Sequence, residues 1–311
     1  MSRHFYRWHD VAIASDVALN LPPAPRAQAS SISLQFVCDP DLGLPPGPSL
    51  MRSPTTGFDL HADPPGACWL ARDDARIRLG PEQIRVRALV LDSILRDYLS
   101  TRVLALWLHL VERPPVHASA LALSDRAIAL MGRSGAGKST LAAALAQRGH
   151  AVLGDDLLPL YALGGQFMAA PGQPSLRLWN DSATHFHPAP DHLPRVTPDT
   201  DKRQLPAANH EGVKPIPLAA LLVLDRQGAG VEEVSLRAMD PGALILKMLA
   251  NGQMAGPAEA LGLGAMRLRV FSEAARRVPG YRLRYPTDHA ALDQVCELIE
   301  RQLGLGAAMS A

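Results

Sequence analysis

Residues 132 to 139 combine three glycines with a lysine and a serine, in a spacing suited to phosphate binding. The segment consists of Gly132, Arg133, Ser134, Gly135, Ala136, Gly137, Lys138 and Ser139. Glycines let the backbone turn so that several N–H groups point at one anion, and a following helix adds the positive end of its dipole. Lys138 would then reach the β- and γ-phosphates of a nucleotide, while the Ser139 hydroxyl would hold Mg²⁺. The alternative is a glycine-rich turn that only joins two elements.

Two adjacent carboxylates, Asp155 and Asp156, follow the apolar run 151–153 and Gly154. By itself a Gly-Asp-Asp triplet usually marks a turn. At the end of a strand, 17 positions after Lys138, it matches the acidic strand that accompanies a phosphate loop and lies beside the metal.

The surrounding pattern alternates strands and helices. We predict strands over 116–123, 127–131, 151–156, 218–225 and 281–286, and helices over 140–148, 242–249, 264–275 and 289–303. The phosphate loop follows the strand 127–131 and leads into the helix 140–148, which is the context in which such a loop binds phosphate. The predicted fold class is α/β with a mixed sheet, occupying residues 114–311.

Residues 1–113 are predicted to form a separate, small β-rich accessory domain that ends in helices. Residues 31–37 alternate polar and apolar side chains, and 66–70 with 75–79 suggest a strand pair. From Pro81 to about Glu112 the apolar residues follow helical spacing, which predicts one long or broken helix pair that joins the two halves of the chain. We find no group of catalytic side chains in this half of the chain.

Composition excludes several classes of function. The 311 residues carry 31 Lys plus Arg against 30 Asp plus Glu, so no strongly charged surface indicates a nucleic-acid partner. Three widely separated cysteines, Cys38, Cys68 and Cys296, predict reduced thiols with neither a zinc site nor disulfides. The apolar runs are too short to span a membrane. We therefore expect a soluble, cytoplasmic protein without nucleic-acid or membrane partners.

Four elements together resemble the HPr kinase family: a histidine ahead of the loop, the loop itself, an Arg-Gly-His after its helix, and a strand ending in Asp-Asp. Here these are His117, residues 132–139, residues 148–150 and residues 155–156, and the resemblance covers about residues 114–300. HPr kinases have a glutamate where Thr140 stands, and their Glu-x-Arg-Gly-Leu-Gly segment has no counterpart here. Segments 171–179 and 201–203 resemble instead the shorter relatives that phosphorylate the C-terminal serine of lasso-peptide precursors.

The resemblance implies a role for each site residue. Asp155 would be the base that accepts the proton of the attacking hydroxyl, with His117 beside it, and Asp156 would share Mg²⁺ with Ser139. A packed strand histidine is the alternative for His117.

Cofactor contacts are expected from residues 132–140, Thr140 included, and from one of the adjacent pair Lys202 and Arg203, either of which could clamp the γ-phosphate. A solvated surface pair is the alternative for these two. Arg177 is a weaker candidate, and His185 and His187 are expected to be loop histidines rather than metal ligands.

These observations predict a serine kinase that uses ATP and Mg²⁺ to phosphorylate a peptide or protein, with a lasso-peptide precursor as the expected acceptor. Two alternatives stay open, a small-molecule kinase of the same fold and a nucleotide-binding regulatory module with little or no transferase activity. HPr kinases form hexamers, so a homo-oligomer is a further expectation from the resemblance.

Overall fold

A computed structural model describes residues 3–25, 32–173, 175–196, 200–206, 214–227 and 233–303. Its Cα positions form two compact units, one made of residues 1–115 and 252–270, the other of residues 116–251 and 271–311. The phosphate loop and both aspartates belong to the second unit. Pro174, within a segment that carries the resemblance, lies outside the described residues.

The first unit contains an eight-stranded sheet in the order β1-β2-β3-β8-β7-β6-β5-β4. Its strands are β1 (His4–Trp8), β2 (Val11–Ser15), β3 (Ile32–Cys38), β4 (Met51–Arg52), β5 (Asp59–Asp63), β6 (Ala67–Arg72), β7 (Ala75–Leu79) and β8 (Gln83–Ala88). The strand predicted at 31–37 and the strand pair predicted at 66–70 and 75–79 are therefore present.

A helical segment follows as α1 (Ser93–Tyr98), a π-helical turn (Leu99–Val103) and α2 (Leu104–Leu110). The helix predicted from Pro81 is wrong over residues 83–88, which form β8. Ile84 and Val86 are buried there while Arg85 and Arg87 are exposed, so the local period is two rather than 3.6. The helical spacing begins only after this strand.

The remaining elements are runs of strands interrupted by helices. They are β9 (Pro115–Val116), β10 (Ala118–Leu123), β11 (Arg126–Met131), α3 (Lys138–Gln147), β12 (Ala151–Gly154), β13 (Leu158–Pro159), β14 (Ala162–Leu163), β15 (Gln166–Ala169), β16 (Ser175–Trp179), α4 (Asn180–Phe186), β17 (Lys202–Pro206), β18 (Ile216–Gln227), β19 (Ser235–Ala238), α5 (Pro241–Ala250), α6 (Ala255–Ala260), α7 (Gly264–Arg277), β20 (Gly280–Pro286) and α8 (Leu292–Gln302). Contrary to the prediction of a loop, His185 lies on α4, whereas His187 directly follows that helix.

The second unit is built on a mixed sheet whose central order is β12-β10-β11-β18-β20-β19. Strands β11, β18 and β20 run parallel to one another, and the pairs of β10 with β11 and with β12 are antiparallel. The parallel strands β11 and β18 contain near-continuous apolar runs because both of their faces are covered. This arrangement confirms the predicted mixed α/β class and brings the carboxyl ends of β11, β18 and β20 to one edge.

Helix α3 starts directly at Lys138. Gly137 caps it with φ of 88°, a left-handed conformation that glycine adopts without steric cost. Leu141 and Leu145 on α3 are fully buried in the core that the sheet shares with Val295 and Ile299 of α8. The loop is therefore held between a buried strand and a buried helix.

The Arg-Gly-His segment after α3 is tied to α8 by one carboxylate. Arg148 donates two hydrogen bonds to Glu300, of 2.9 and 2.7 Å, and His150 Nε2 lies 2.9 Å from Glu300 Oε1. The hydrogen bonds from Arg148, followed by that from His150, lower the pKa of Glu300 although burial opposes them. Glu300 therefore fixes the end of α3 against the last helix.

We predict that Glu300→Gln lowers the free energy of unfolding by about 1–3 kcal/mol at neutral pH, because it removes charge-assisted hydrogen bonds. The pKa of Glu300 in the folded protein lies below the ordinary glutamate value of 4.5. The stabilisation is thus complete above pH 4.5 and is lost as the pH falls through the lower, folded-state value. Urea unfolding at several pH values measures the difference from the wild type, which should shrink under acid conditions.

The matched control is Glu297→Gln, since Glu297 is exposed on the same helix. Equal stability of the two variants at neutral pH would show that the Glu300 contacts contribute nothing.

Candidate functional site

The loop after β11 has the backbone geometry of an anion-binding turn. Gly135 and Gly137 have φ of 82° and 88°, and a Cβ on Gly132 would lie 3.0 Å from the Cβ of Ala136. The Tyr285 hydroxyl donates a 3.2 Å hydrogen bond to the Ala136 carbonyl. The glycines at these three positions thus allow a tight turn, and Tyr285 of β20 stabilises it by this hydrogen bond.

Lys138 lies over the loop. Its Nζ donates hydrogen bonds to the carbonyls of Gly132 (3.0 Å) and Arg133 (3.2 Å). Burial lowers the pKa of Lys138, the charges of Asp155 and Asp156 raise it, and the charge of Lys202 lowers it. The ammonium is therefore a partly desolvated cation inside the turn, where an added anion would be strongly attracted.

Asp155 is buried and fully engaged in hydrogen bonds. Its Oδ1 accepts from the hydroxyls of Ser119 (2.5 Å) and Ser139 (3.1 Å), and its Oδ2 accepts from the backbone N–H of Arg177 (2.7 Å). Burial, followed by the charge of Asp156, raises the pKa of Asp155 despite these hydrogen bonds. A carboxylate in this position favours an additional positive charge nearby.

Asp156 points to different partners. Its φ of 69° is left-handed, a conformation that aspartate tolerates better than most residues. Oδ1 lies 3.2 Å from His117 Nε2, and Oδ2 accepts a 2.9 Å hydrogen bond from the Arg177 guanidinium. Burial raises the pKa of Asp156, but the hydrogen bond from His117 and the charges of Arg177, His117 and Lys202 outweigh it and lower the pKa.

The two acids therefore have unlike surroundings. The residue that touches Ser139 is Asp155, whereas the sequence interpretation placed Asp156 beside the Ser139 metal and gave Asp155 the role of base. The Asp156 side chain is 28% exposed to solvent, whereas Asp155 is a buried residue. Asp155, rather than Asp156, is therefore the acid that lies next to Ser139.

A two-stranded ribbon made of β16 and β17 covers the acids. Arg177 pairs with Gln204 and Trp179 with Lys202, so these four side chains share one face. Lys202 Nζ lies 5.1 Å from the centre of the Trp179 ring. Its charge also acts on Asp156 and Lys138, which places Lys202 on the side of the ribbon that faces the site.

Arg203 points the opposite way, as strand alternation requires. Its guanidinium donates to Asn180 Oδ1 (3.2 Å), Asp191 Oδ1 (3.1 Å) and the Leu193 carbonyl (3.4 Å), and the residue is only 8% exposed. These contacts anchor the ribbon to α4 and the turn after it. Of the two predicted phosphate clamps, only Lys202 is positioned to act on the loop.

Thr140, predicted as a cofactor contact, turns its hydroxyl to Ser182 Oγ on α4, at 3.3 Å.

Two residues that contact the aspartates were not identified as strong candidates from the sequence. Arg177 was ranked low, and Ser119 was not considered. Ser119 lies two positions after His117, and a period of two along the strand indicates that both face the aspartates.

The residues present suit a magnesium ion that is completed by phosphate oxygens. Among the described residues no three His, Cys, Asp or Glu side chains form a metal-binding group by themselves. Mg²⁺ in nucleotide sites is commonly held by one or two protein oxygens together with phosphates and water. Ser139 Oγ and Asp155 Oδ1, 3.1 Å apart, provide such a partial set.

Within the described part of the chain, no helix is long and apolar enough to cross a membrane. Neither a protein-family model nor a curated protein matches this sequence. Among solved structures, one match is the HPr(Ser) kinase/phosphatase from Coxiella burnetii, at 14% identity and a TM-score of 0.32. That match covers 60% of this chain and 95% of the other.

Proposed function

We propose that this chain is a phosphotransferase that uses Mg-ATP to phosphorylate a serine hydroxyl of a peptide or protein. The observation that carries the proposal is the 3.1 Å contact between Ser139, directly after the loop lysine, and the buried Asp155. It joins the phosphate loop to the acidic strand end, which is the arrangement that phosphoryl transfer needs.

In this proposal Ser139 and Asp155 hold the metal, which neutralises charge on the transferred phosphoryl group when it is bound. The neighbours of Asp155 support this assignment. Ser119 and the Arg177 N–H fix the carboxylate, and burial near Asp156 makes its charge costly in the absence of a cation.

Asp156 is proposed as the group that orients the acceptor hydroxyl and accepts its proton. It is the more exposed of the two acids; Arg177 forms an ion pair with it, and His117 Nε2 lies 3.2 Å from its other oxygen. A depressed pKa keeps it ionised, so it is ready to accept a hydrogen bond from an entering hydroxyl. His117 and Arg177 act as positioning residues.

Lys138 and Lys202 are proposed to stabilise the transferred group from two sides. Lys138 sits in the loop, and Lys202 acts electrostatically on both Lys138 and Asp156. Fixed cations placed where negative charge gathers in the transition state lower the barrier.

The acceptor is proposed to be a flexible peptide, with the C-terminal serine of a lasso-peptide precursor as the specific candidate. The sequence resemblance supports this specific candidate, and the surface of the ribbon formed by β16 and β17 supports a peptide as the class of acceptor. Trp179 is 48% exposed beside Lys202 and offers an apolar surface with a cation at its edge, close to Asp156. Such a surface suits an extended chain better than a small polar metabolite.

Replacing the loop lysine tests the phosphate site. We expect Lys138→Ala to weaken Mg-ADP binding by about 10- to 100-fold, the equivalent of one or two charge-assisted hydrogen bonds. Isothermal titration measures the affinity, and Lys247→Ala on α5 is the control. Unchanged affinity in Lys138→Ala would contradict the phosphate-loop assignment.

The two aspartates are expected to respond differently to the same substitution. Asp156→Asn should reduce turnover by about 10²- to 10⁴-fold, as for loss of a general base, while Mg-ADP still binds. Asp155→Asn should instead raise the Mg²⁺ concentration needed for half-maximal activity, because a metal ligand is lost. Steady-state kinetics over a magnesium series separates the two effects.

Asp125→Asn serves as the control because Asp125 is exposed in the turn between β10 and β11. The assignment of roles is wrong if Asp155→Asn, and not Asp156→Asn, lowers turnover at saturating Mg²⁺ while the Mg²⁺ concentration for half-maximal activity stays unchanged.

The acceptor class is tested with synthetic peptides. Incubation with Mg-ATP followed by mass spectrometry should detect a gain of one phosphate on a peptide that ends in serine, and none on the matched peptide that ends in alanine. Phosphorylation of small alcohols with no reaction on any peptide would instead favour a small-molecule kinase.

A further inference from the structure

A second group of polar side chains lies at the carboxyl ends of β18 and β20, on the side of the phosphate loop opposite the two aspartates. Strands β18 and β20 are parallel to β11, so their carboxyl ends lie beside the phosphate loop. Ligands of open α/β sheets bind at this edge. Arg226 comes from the end of β18, and the segment 287–289 follows β20.

Arg226 lies directly against the loop. A Cβ on Gly137 would be 3.5 Å from Arg226 Cδ and 3.6 Å from its Nη1. The Arg226 guanidinium donates a 2.5 Å hydrogen bond to the Thr287 carbonyl, which fixes it in place. Its Nε is buried, and within the described residues it has no hydrogen-bond partner.

Two histidines complete the group. The rings of His185 and His289 stack with centroids 5.0 Å apart and planes inclined by 24°. Among the described residues, the buried Nε2 of His289 also lacks a hydrogen-bond partner. Burial lowers the pKa of His289, the nearby charges of His185 and Arg226 lower it further, and those of Asp181 and Asp288 raise it.

Helix α4 places this group close to the start of α3. Ser182 of α4 contacts the Thr140 hydroxyl at 3.3 Å, and Thr140 follows Ser139. His185 is one turn further along the same helix. The stacked histidines therefore border the first turn of α3, beside Arg226.

The acids define the direction of a bound triphosphate. They follow β12, which lies on one side of β11 in the sheet order, whereas β18 and β20 lie on the other side. If the terminal phosphate faces the acids, the opposite end of the chain of phosphates points to Arg226 and the two histidines. A nucleotide has its base and ribose at that end.

We propose that Arg226, His185 and His289 form the site for the nucleoside half of the phosphoryl donor. This inference rests on the proposed function. The exposed face of the histidine stack accepts a flat base, and Arg226 contacts the phosphate nearest the ribose. The donor class is then a nucleoside triphosphate rather than inorganic polyphosphate, because only the former fills both sites.

The test compares two probes that share their phosphates and differ in the nucleoside, Mg-ADP and Mg-pyrophosphate. Both affinities are measured by isothermal titration on the full chain. We expect Arg226→Gln and the double variant His185→Ala, His289→Ala each to weaken Mg-ADP binding by about tenfold. The affinity for Mg-pyrophosphate should change less than about twofold in the histidine double variant, which leaves the loop contacts intact.

Arg282→Gln and His192→Ala are the matched controls, since both residues are exposed in the same unit, and they should leave both affinities unchanged. Circular dichroism melts verify that each variant folds. Equal losses for the two probes in the histidine double variant, or no loss for Mg-ADP in either cluster variant, would overturn the inference.

Lys138→Ala separates failure of this inference from failure of the proposed function. If it weakens both probes while the cluster variants weaken neither, the phosphate site stands and the nucleoside site is wrong. If it changes neither affinity, the phosphate-loop assignment fails, and the nucleoside site fails with it.

Discussion

The contact between Ser139 and Asp155 is the constraint on which the second unit depends. It connects the first turn of α3 to the end of β12 across β10 and β11, so the loop and the acids can meet only if the sheet order is kept. A buried carboxylate is costly unless its lone pairs are satisfied. Ser119, Ser139 and the Arg177 N–H supply three hydrogen bonds that reduce this cost.

Positively charged side chains surround the two aspartates and the loop. Arg177 forms an ion pair with Asp156, His117 Nε2 lies 3.2 Å from the same carboxylate, and the charge of Lys202 on the ribbon acts on Lys138. Arg203, on the other face of the same strand, is spent on anchoring the ribbon to α4 and the following turn. Because successive side chains of β17 point to opposite faces, Lys202 faces the site and Arg203 stabilises the ribbon.

Much of the second unit could be predicted from the sequence because its signals are local. The loop has its glycines, α3 has a run of strong helix formers, and β11 and β18 are apolar runs of strand length. Local signals do not decide the features that depend on partners distant in the chain.

Whether Asp155 or Asp156 meets Ser139 depends on a left-handed turn at Asp156, and whether Lys202 or Arg203 faces the site depends on the register of β17 with β16. In the first unit, β8 was mistaken for helix because the helical spacing that begins at Ala88 was extended back to Pro81, across residues that alternate with a period of two. The group formed by Arg226, His185 and His289 spans 105 positions of the chain, and only the parallel pairing of β18 with β20 and the packing of α4 bring it together.

The position of a divalent cation shows which of the two aspartates holds the metal beside Ser139. Anomalous scattering from Mn²⁺ in crystals grown with Mn-ADP would locate the ion without reference to any activity. We expect one anomalous peak at the loop, from an ion that Ser139 Oγ and Asp155 bind directly at about 2 Å or through a single water. A peak held by Asp156 without Asp155, or an ion remote from Ser139, would contradict this expectation.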